Sequence, residues 1–135
     1  MKIYHMCPRE AWIGNDDERQ LVQKAYYPPT YAADGFIHCS PAVSDALLDI
    51  GNHFYKSSPP STEWIILTVD VEKLRSEVKW ESPMAVGDVE TKLDSDVRMP
   101  HVYGTIDRDA AAVTHRIVRD PESGTFLRIE GVSGG

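Results

Sequence analysis

Residues 64–71, WIILTVDV, carry the strongest strand signal in the chain, and the rest is read outward from them. The apolar run is continuous rather than alternating, which predicts a strand buried on both faces. Downstream, Val71 to Arg75 has room for one helical turn, and EVKWE (77–81) alternates as a second strand. Upstream, Val43, Ala46, Leu47, Ile50, Phe54 and Tyr55 recur at helical spacing, which predicts a helix from Pro41 to Lys56 ended by SSPPST. Before that helix, GFIHC (35–39) reads as a short strand. YYPPTYAADG (26–35) reads as a loop, because paired prolines forbid a regular element.

The N-terminal KIYHMC (2–7) alternates, with Ile3, His5 and Cys7 on one face and Tyr4 and Met6 on the other, as a first strand does. Pro8 suits a helix start, and the helical reading runs from Arg9 through Trp12 and resumes across Glu18 to Ala25, with Gly14-Asn15-Asp16 as the interruption. Residues 82–99 carry Pro, Gly and acids without periodicity. HVYGTI (101–106), Ala112 to Arg119 and Thr125 to Glu130 read as three more strands, the last two joined by the hairpin turn DPESG. GVSGG is read as a disordered tail. Many strands and two main helices, not in strict alternation, make this an α+β chain. It is read as one domain over 1–135, with an acidic insertion at 83–99 and a C-terminal hairpin extension and tail at 114–135.

At 135 residues with a formal net charge of −7 and 41% hydrophobic content, the chain has the composition of a soluble globular domain. The acidic balance argues against nucleic acid as a partner, since phosphate binding needs a basic stripe. Two cysteines, Cys7 and Cys39, make no disulfide framework, and the start MKIYHMCPREAW lacks the apolar run of a secretory signal. The expected setting is therefore cytoplasmic, away from membranes, with reduced thiols. No phosphate-binding glycine loop or metalloprotease motif occurs.

Three histidines share one kind of setting: His5 in IYHMC, His38 in FIHCS and His101 in PHVYG, each on a short strand among apolar neighbours. Adjacent strands would bring the three imidazoles and Ser40 to one cleft. Ser40, ahead of Pro41, also has the position of a helix N-cap. Glu81 at a strand end is placed to orient a hydroxyl or serve as a general acid, and Tyr103 before Gly104 is a candidate aromatic platform. Cys39 alternates away from His38 and Ser40 and reads as an inert buried thiol.

IYHMCPREAW, AADGFIHCSP, WIILTVDVEKL, EVKWE and PHVYG, in that order, resemble the family known as domain of unknown function 952, over nearly everything from Ile3 to Val113. That family is similar in fold to the ADP-ribosyltransferases. The resemblance implies a split pair of small antiparallel or mixed sheets around a cleft for NAD or a related nucleotide. It matches His5 to a histidine of the first core strand and Ser40 to a hydroxyl at the end of the second, and it implies no metal. Together with the histidine pattern, His5, Ser40 and Tyr103 are read as ligand-binding and His38, His101 and Glu81 as catalytic. The glutamate of that superfamily's third motif has no clear counterpart here. Two other readings stay open: a zinc site on the three histidines, and a non-catalytic interaction domain whose histidines are structural.

Overall fold

The computed structural model describes residues 1–13, 26–28, 30–87, 89–91, 93 and 96–131. The expected helix across Glu18 to Ala25 and the tail beyond Gly131 lie outside the described residues. Strand β1 (Lys2–Pro8) leads into helix α1 (Arg9–Ile13). Helix α2 (Tyr31–Asp34), strand β2 (Ile37–His38) and helix α3 (Asp45–Phe54) follow. Then come β3 (Trp64–Asp70), a 3-10 turn at Val71–Lys73, β4 (Glu77–Glu81), β5 (Met99–Tyr103), a second 3-10 turn at Arg108–Ala110, β6 (Ala111–Arg119) and β7 (Phe126–Ile129).

The strands form two antiparallel sheets, one in the order β1-β3-β6-β7 and one in the order β2-β5-β4. They meet where Tyr4 and Ser40 exchange backbone hydrogen bonds, 2.9 Å and 2.6 Å long. Tyr4 also pairs across β1–β3 with Thr68, so β1 is shared between the sheets. The fold is thus α+β and largely antiparallel sheet.

Strand β3 lies between β1 and β6, and Trp64 through Leu67 and Val69 are all buried. This agrees with the unbroken apolar run, because a central strand covered on both faces has no solvent side to keep polar. The period of two then divides the core. Ile3, Cys7, Ile65, Leu67 and Val69 pack with Ile37 and Val102 of the small sheet. Met6, Trp64 and Ile66 pack with Leu47 of α3 and with Ile117, Phe126 and Ile129. Burying side chains such as Ile66 and Leu67 contributes about 1.5–3 kcal/mol each.

Several boundaries differ from the sequence reading. The helix expected from Pro41 begins only at Asp45, and Ser44 rather than Ser40 holds the N-cap position. The Ser40 hydroxyl instead donates to the Ala42 carbonyl at 2.9 Å, closing a local turn that takes up residues 40–44. The proline-rich loop contains α2, which starts after both prolines and so escapes their restriction. Gly35, at φ +80°, ends that helix and leaves only Ile37 and His38 in strand pairing. Strand β5 begins at Met99 and ends at Tyr103, while Ile106 bridges to Tyr26. Among the described residues one helix, α3, exceeds five residues.

The β6–β7 hairpin is an integral half of the larger sheet: β6 pairs with β3 from Ala111 to Ile117, and Phe126 and Ile129 belong to the core. Among the described residues no helix is long and apolar enough to cross a membrane.

Candidate functional site

The histidines separate by strand face. His5 sits on the Ile3–Cys7 face of β1, and only 4% of it is exposed. Its Nδ1 lies 2.7 Å from the His38 carbonyl oxygen and its Nε2 2.9 Å from the Tyr26 hydroxyl. A carbonyl only accepts, so Nδ1 carries the proton and Nε2 accepts from Tyr26. Burial pushes the ring down to about 4, and it is neutral at neutral pH. His5 is a buried strut between the sheets, and both nitrogens are occupied.

His38 and His101 come together as the sequence reading expected. They are direct partners in the β2–β5 ladder, their rings 5.6 Å apart and nearly edge-to-face. His38 Nε2 is 3.0 Å from Asp34 Oδ2, and His101 Nδ1 is 3.0 Å from Glu81 Oε1. Phe36 stacks against His101 at 4.1 Å. Burial lowers the His38 pKa, partly offset by Asp34, and the His101 neighbour lowers it further. The Glu81 carboxyl is held below its usual range by hydrogen bonds from Tyr103 and then His101. The same contact raises the Tyr103 phenol to about 12, since its proton is held on a carboxylate 2.5 Å away. Tyr103 therefore serves Glu81, and its ring already faces Phe36 and the Lys79 ammonium.

These groups stand beside a cleft of about 50 Å³ on the Tyr4–Met6 face of β1. At roughly 10–15 Å³ per water it holds about three to five waters. His38, Ser40 and His101 line it, with Leu47, Ile50, Phe54 and Tyr55 from the α3 side and Met84, Val86 and Leu93 from the segment after β4. None of the described lining residues is Lys, Arg, Asp or Glu. Cys39 also borders it, but burial raises its thiol pKa, so it stays protonated and unreactive. Burial likewise pushes the Cys7 thiol up to about 12.

Among the described residues there is no group of three or more side chains suited to hold a metal ion. The three-histidine zinc reading fails because His5 points to the opposite face of β1 and its nitrogens are already bonded.

Sequence reasoning missed Asp34. Its carboxylate binds His38 Nε2 through one oxygen and accepts the Gly87 N–H at 2.9 Å through the other. The signal was the four-residue spacing in DGFIH: the left-handed Gly35 folds the chain back so that both side chains meet. The Gly87 contact, 53 residues away, has no local signature.

Two antiparallel sheets sharing one strand, with a pair of carboxylate-held imidazoles beside an apolar cleft, define a class of α+β protein by fold and site. The chain belongs to the family of proteins of unknown function designated DUF952, whose family model matches residues 6–114. The same fold occurs in protein CC0527 from Caulobacter crescentus and in a double mutant of it, both known from X-ray crystal structures. For each the TM-score is 0.59 and 94% of both chains is covered, at 21% and 19% identity respectively. That coverage leaves fewer residues unmatched than the C-terminal hairpin contains, so the shared fold extends into it. No curated protein matches the sequence.

Proposed function

We propose that the cleft is a small-molecule site for a nucleotide of the NAD or ADP-ribose class, and that the protein is a divergent ADP-ribosyl or glycosyl transferase. What supports this most is the pair of adjacent imidazoles, each held at one nitrogen by a carboxylate and both lining the cleft. An apolar wall of Leu47, Ile50, Phe54 and Met84 takes a flat heterocycle, while His38 and His101 meet its polar edge or the attached sugar. The cleft is too small for a dinucleotide, and no described lining side chain is cationic. The phosphates therefore lie outside, with only the base or the sugar end entering.

In such a transfer the acceptor hydroxyl forms a bond to the ribose carbon as the bond to nicotinamide breaks. Its proton passes to water, and neutral nicotinamide leaves with the bonding pair. Glu81, hydrogen-bonded to His101 Nδ1, holds that ring in place at the cleft.

The test is an NMR titration of the histidine side chains with NAD, ADP-ribose and NMN. Saturable shifts at His38 and His101, with His5 unmoved, are expected. Silence towards all three at millimolar concentration, about the weakest affinity worth pursuing, refutes the nucleotide reading.

A further inference from the structure

The two imidazoles beside the cleft are held by opposite nitrogens. A carboxylate can only accept, so the ring nitrogen facing it carries the proton. Asp34 therefore fixes neutral His38 as the Nε2–H tautomer with a bare Nδ1, while Glu81 fixes neutral His101 as the Nδ1–H tautomer with a bare Nε2. Among the described residues neither bare nitrogen has a hydrogen-bond partner, yet no buried side-chain nitrogen or oxygen is left unpartnered. Neither bare nitrogen is therefore fully sealed, although only 1% of His101 is exposed, and both residues line the cleft.

We propose that His38 and His101 form a two-acceptor clamp whose ligand presents two adjacent hydrogen-bond donors, as vicinal hydroxyls or a primary amide. In this clamp Asp34 is the positioning residue for the His38 half. The proposal rests on the cleft being a small-molecule site and goes further in naming the chemistry that enters it. Two lone pairs side by side repel an anionic group and leave a carboxylate without donors. Two N–H or O–H groups satisfy both nitrogens at once, which in an apolar enclosure is worth more than in water.

Asp34 is itself held. Its second oxygen accepts the Gly87 N–H, and Gly87, at φ +58°, follows directly on Val86 of the cleft wall. A ligand seated against Met84 and Val86 therefore presses on the segment that orients Asp34. Through Asp34 it acts on the tautomer and tilt of His38.

The experiment is a long-range proton–nitrogen correlation on protein labelled at its histidine ring nitrogens, at neutral pH, first without ligand. The expected result is His38 in the Nε2–H form and His101 in the Nδ1–H form. Asp34→Asn should release the His38 tautomer and leave His101 unchanged. Either ring in the other tautomer, or cationic, overturns the clamp, and this reading needs no variant.

Nicotinamide, methyl riboside and nicotinate are then added separately. The amide and the diol distinguish the two donor sources, and at least one should move both bare nitrogens towards the hydrogen-bonded position. Nicotinate should move neither. Equal shifts with nicotinate refute the donor requirement. No shift with any of the three, while NAD still binds, refutes the clamp but spares the nucleotide site. Silence towards NAD as well removes both.

Discussion

Acidification from neutral pH to about pH 4 protonates His5 in the unfolded chain well before it does so in the folded protein. The ring sits in the first core, and burial lowers it from 6.5 to about 4. The His38 carbonyl bond works in the opposite direction, and the His38 imidazole adds a smaller lowering. Because the folded value is the lower one, the unfolded chain binds more protons throughout this window. Stability is therefore full above about 6.5 and is lost progressively as the pH falls towards 4. A gap of two to three units corresponds to about 3 kcal/mol, a large share of the 5–15 kcal/mol typical of a domain.

The assay is urea unfolding across that range, beside a proton–nitrogen titration of His5. His5→Gln makes the comparison sharp, since an amide keeps a donor for the His38 carbonyl and an acceptor for the Tyr26 hydroxyl but does not titrate. The variant's stability should fall less steeply between neutral pH and pH 4, retaining the slopes that His38 and, at the acid end, Glu81 contribute. A folded-state His5 titrating near 6.5, or wild-type and variant curves falling in parallel, would refute the reasoning.

Three further outcomes follow from packing and hydrogen bonding. Arg119 gathers the carbonyls of Lys56, Ser58, Pro59, Thr62 and Gly124, tying the loop after α3 to the β6–β7 hairpin. Arg119→Lys cannot reproduce that fork and should lower stability by about 2 kcal/mol, read as a lower urea midpoint. At Gly51 of α3 an added Cβ would lie 2.3 Å from the Phe126 ring, so Gly51→Ala should cost about 1–3 kcal/mol by overpacking. That sign is opposite to the gain of about 1 kcal/mol expected from helix propensity, and thermal unfolding decides between them. Glu81→Gln replaces the carboxylate that holds the Tyr103 proton, so Tyr103 should titrate nearer 10 than 12 in a ring-labelled NMR titration. An unchanged value would mean that Glu81 does not hold it.

The larger part of the fold was legible because its signals are local. KIYHMC alternates, WIILTVDV does not, and β1 and β3 behave accordingly: one divides its residues between two cores and the other buries all five of its apolar side chains. EVKWE is β4 to the residue. Ser-Pro misled at Ser40, where a hydroxyl that suits an N-cap equally suits a turn, and the chain made the turn. Glu81 was legible as a strand-end carboxylate, but that Tyr103 would bind it across β4–β5 depended on the pairing register.

The three histidines show most clearly where sequence stops. Alternation by itself determined that His5 shares a face with Ile3 and Cys7. On β5 it likewise set His101 apart from Pro100 and Val102. It says which residues face the same way, because successive Cβ atoms point to opposite sides of a strand. It does not say which side a second sheet will cover and which will border a cleft, since that depends on contacts made by distant parts of the chain. Only the tertiary structure decided that His5 would be sealed between the sheets with its nitrogens bonded. The same packing set His38 and His101 beside the opening, and gave Asp34 a partner in the amide of Gly87.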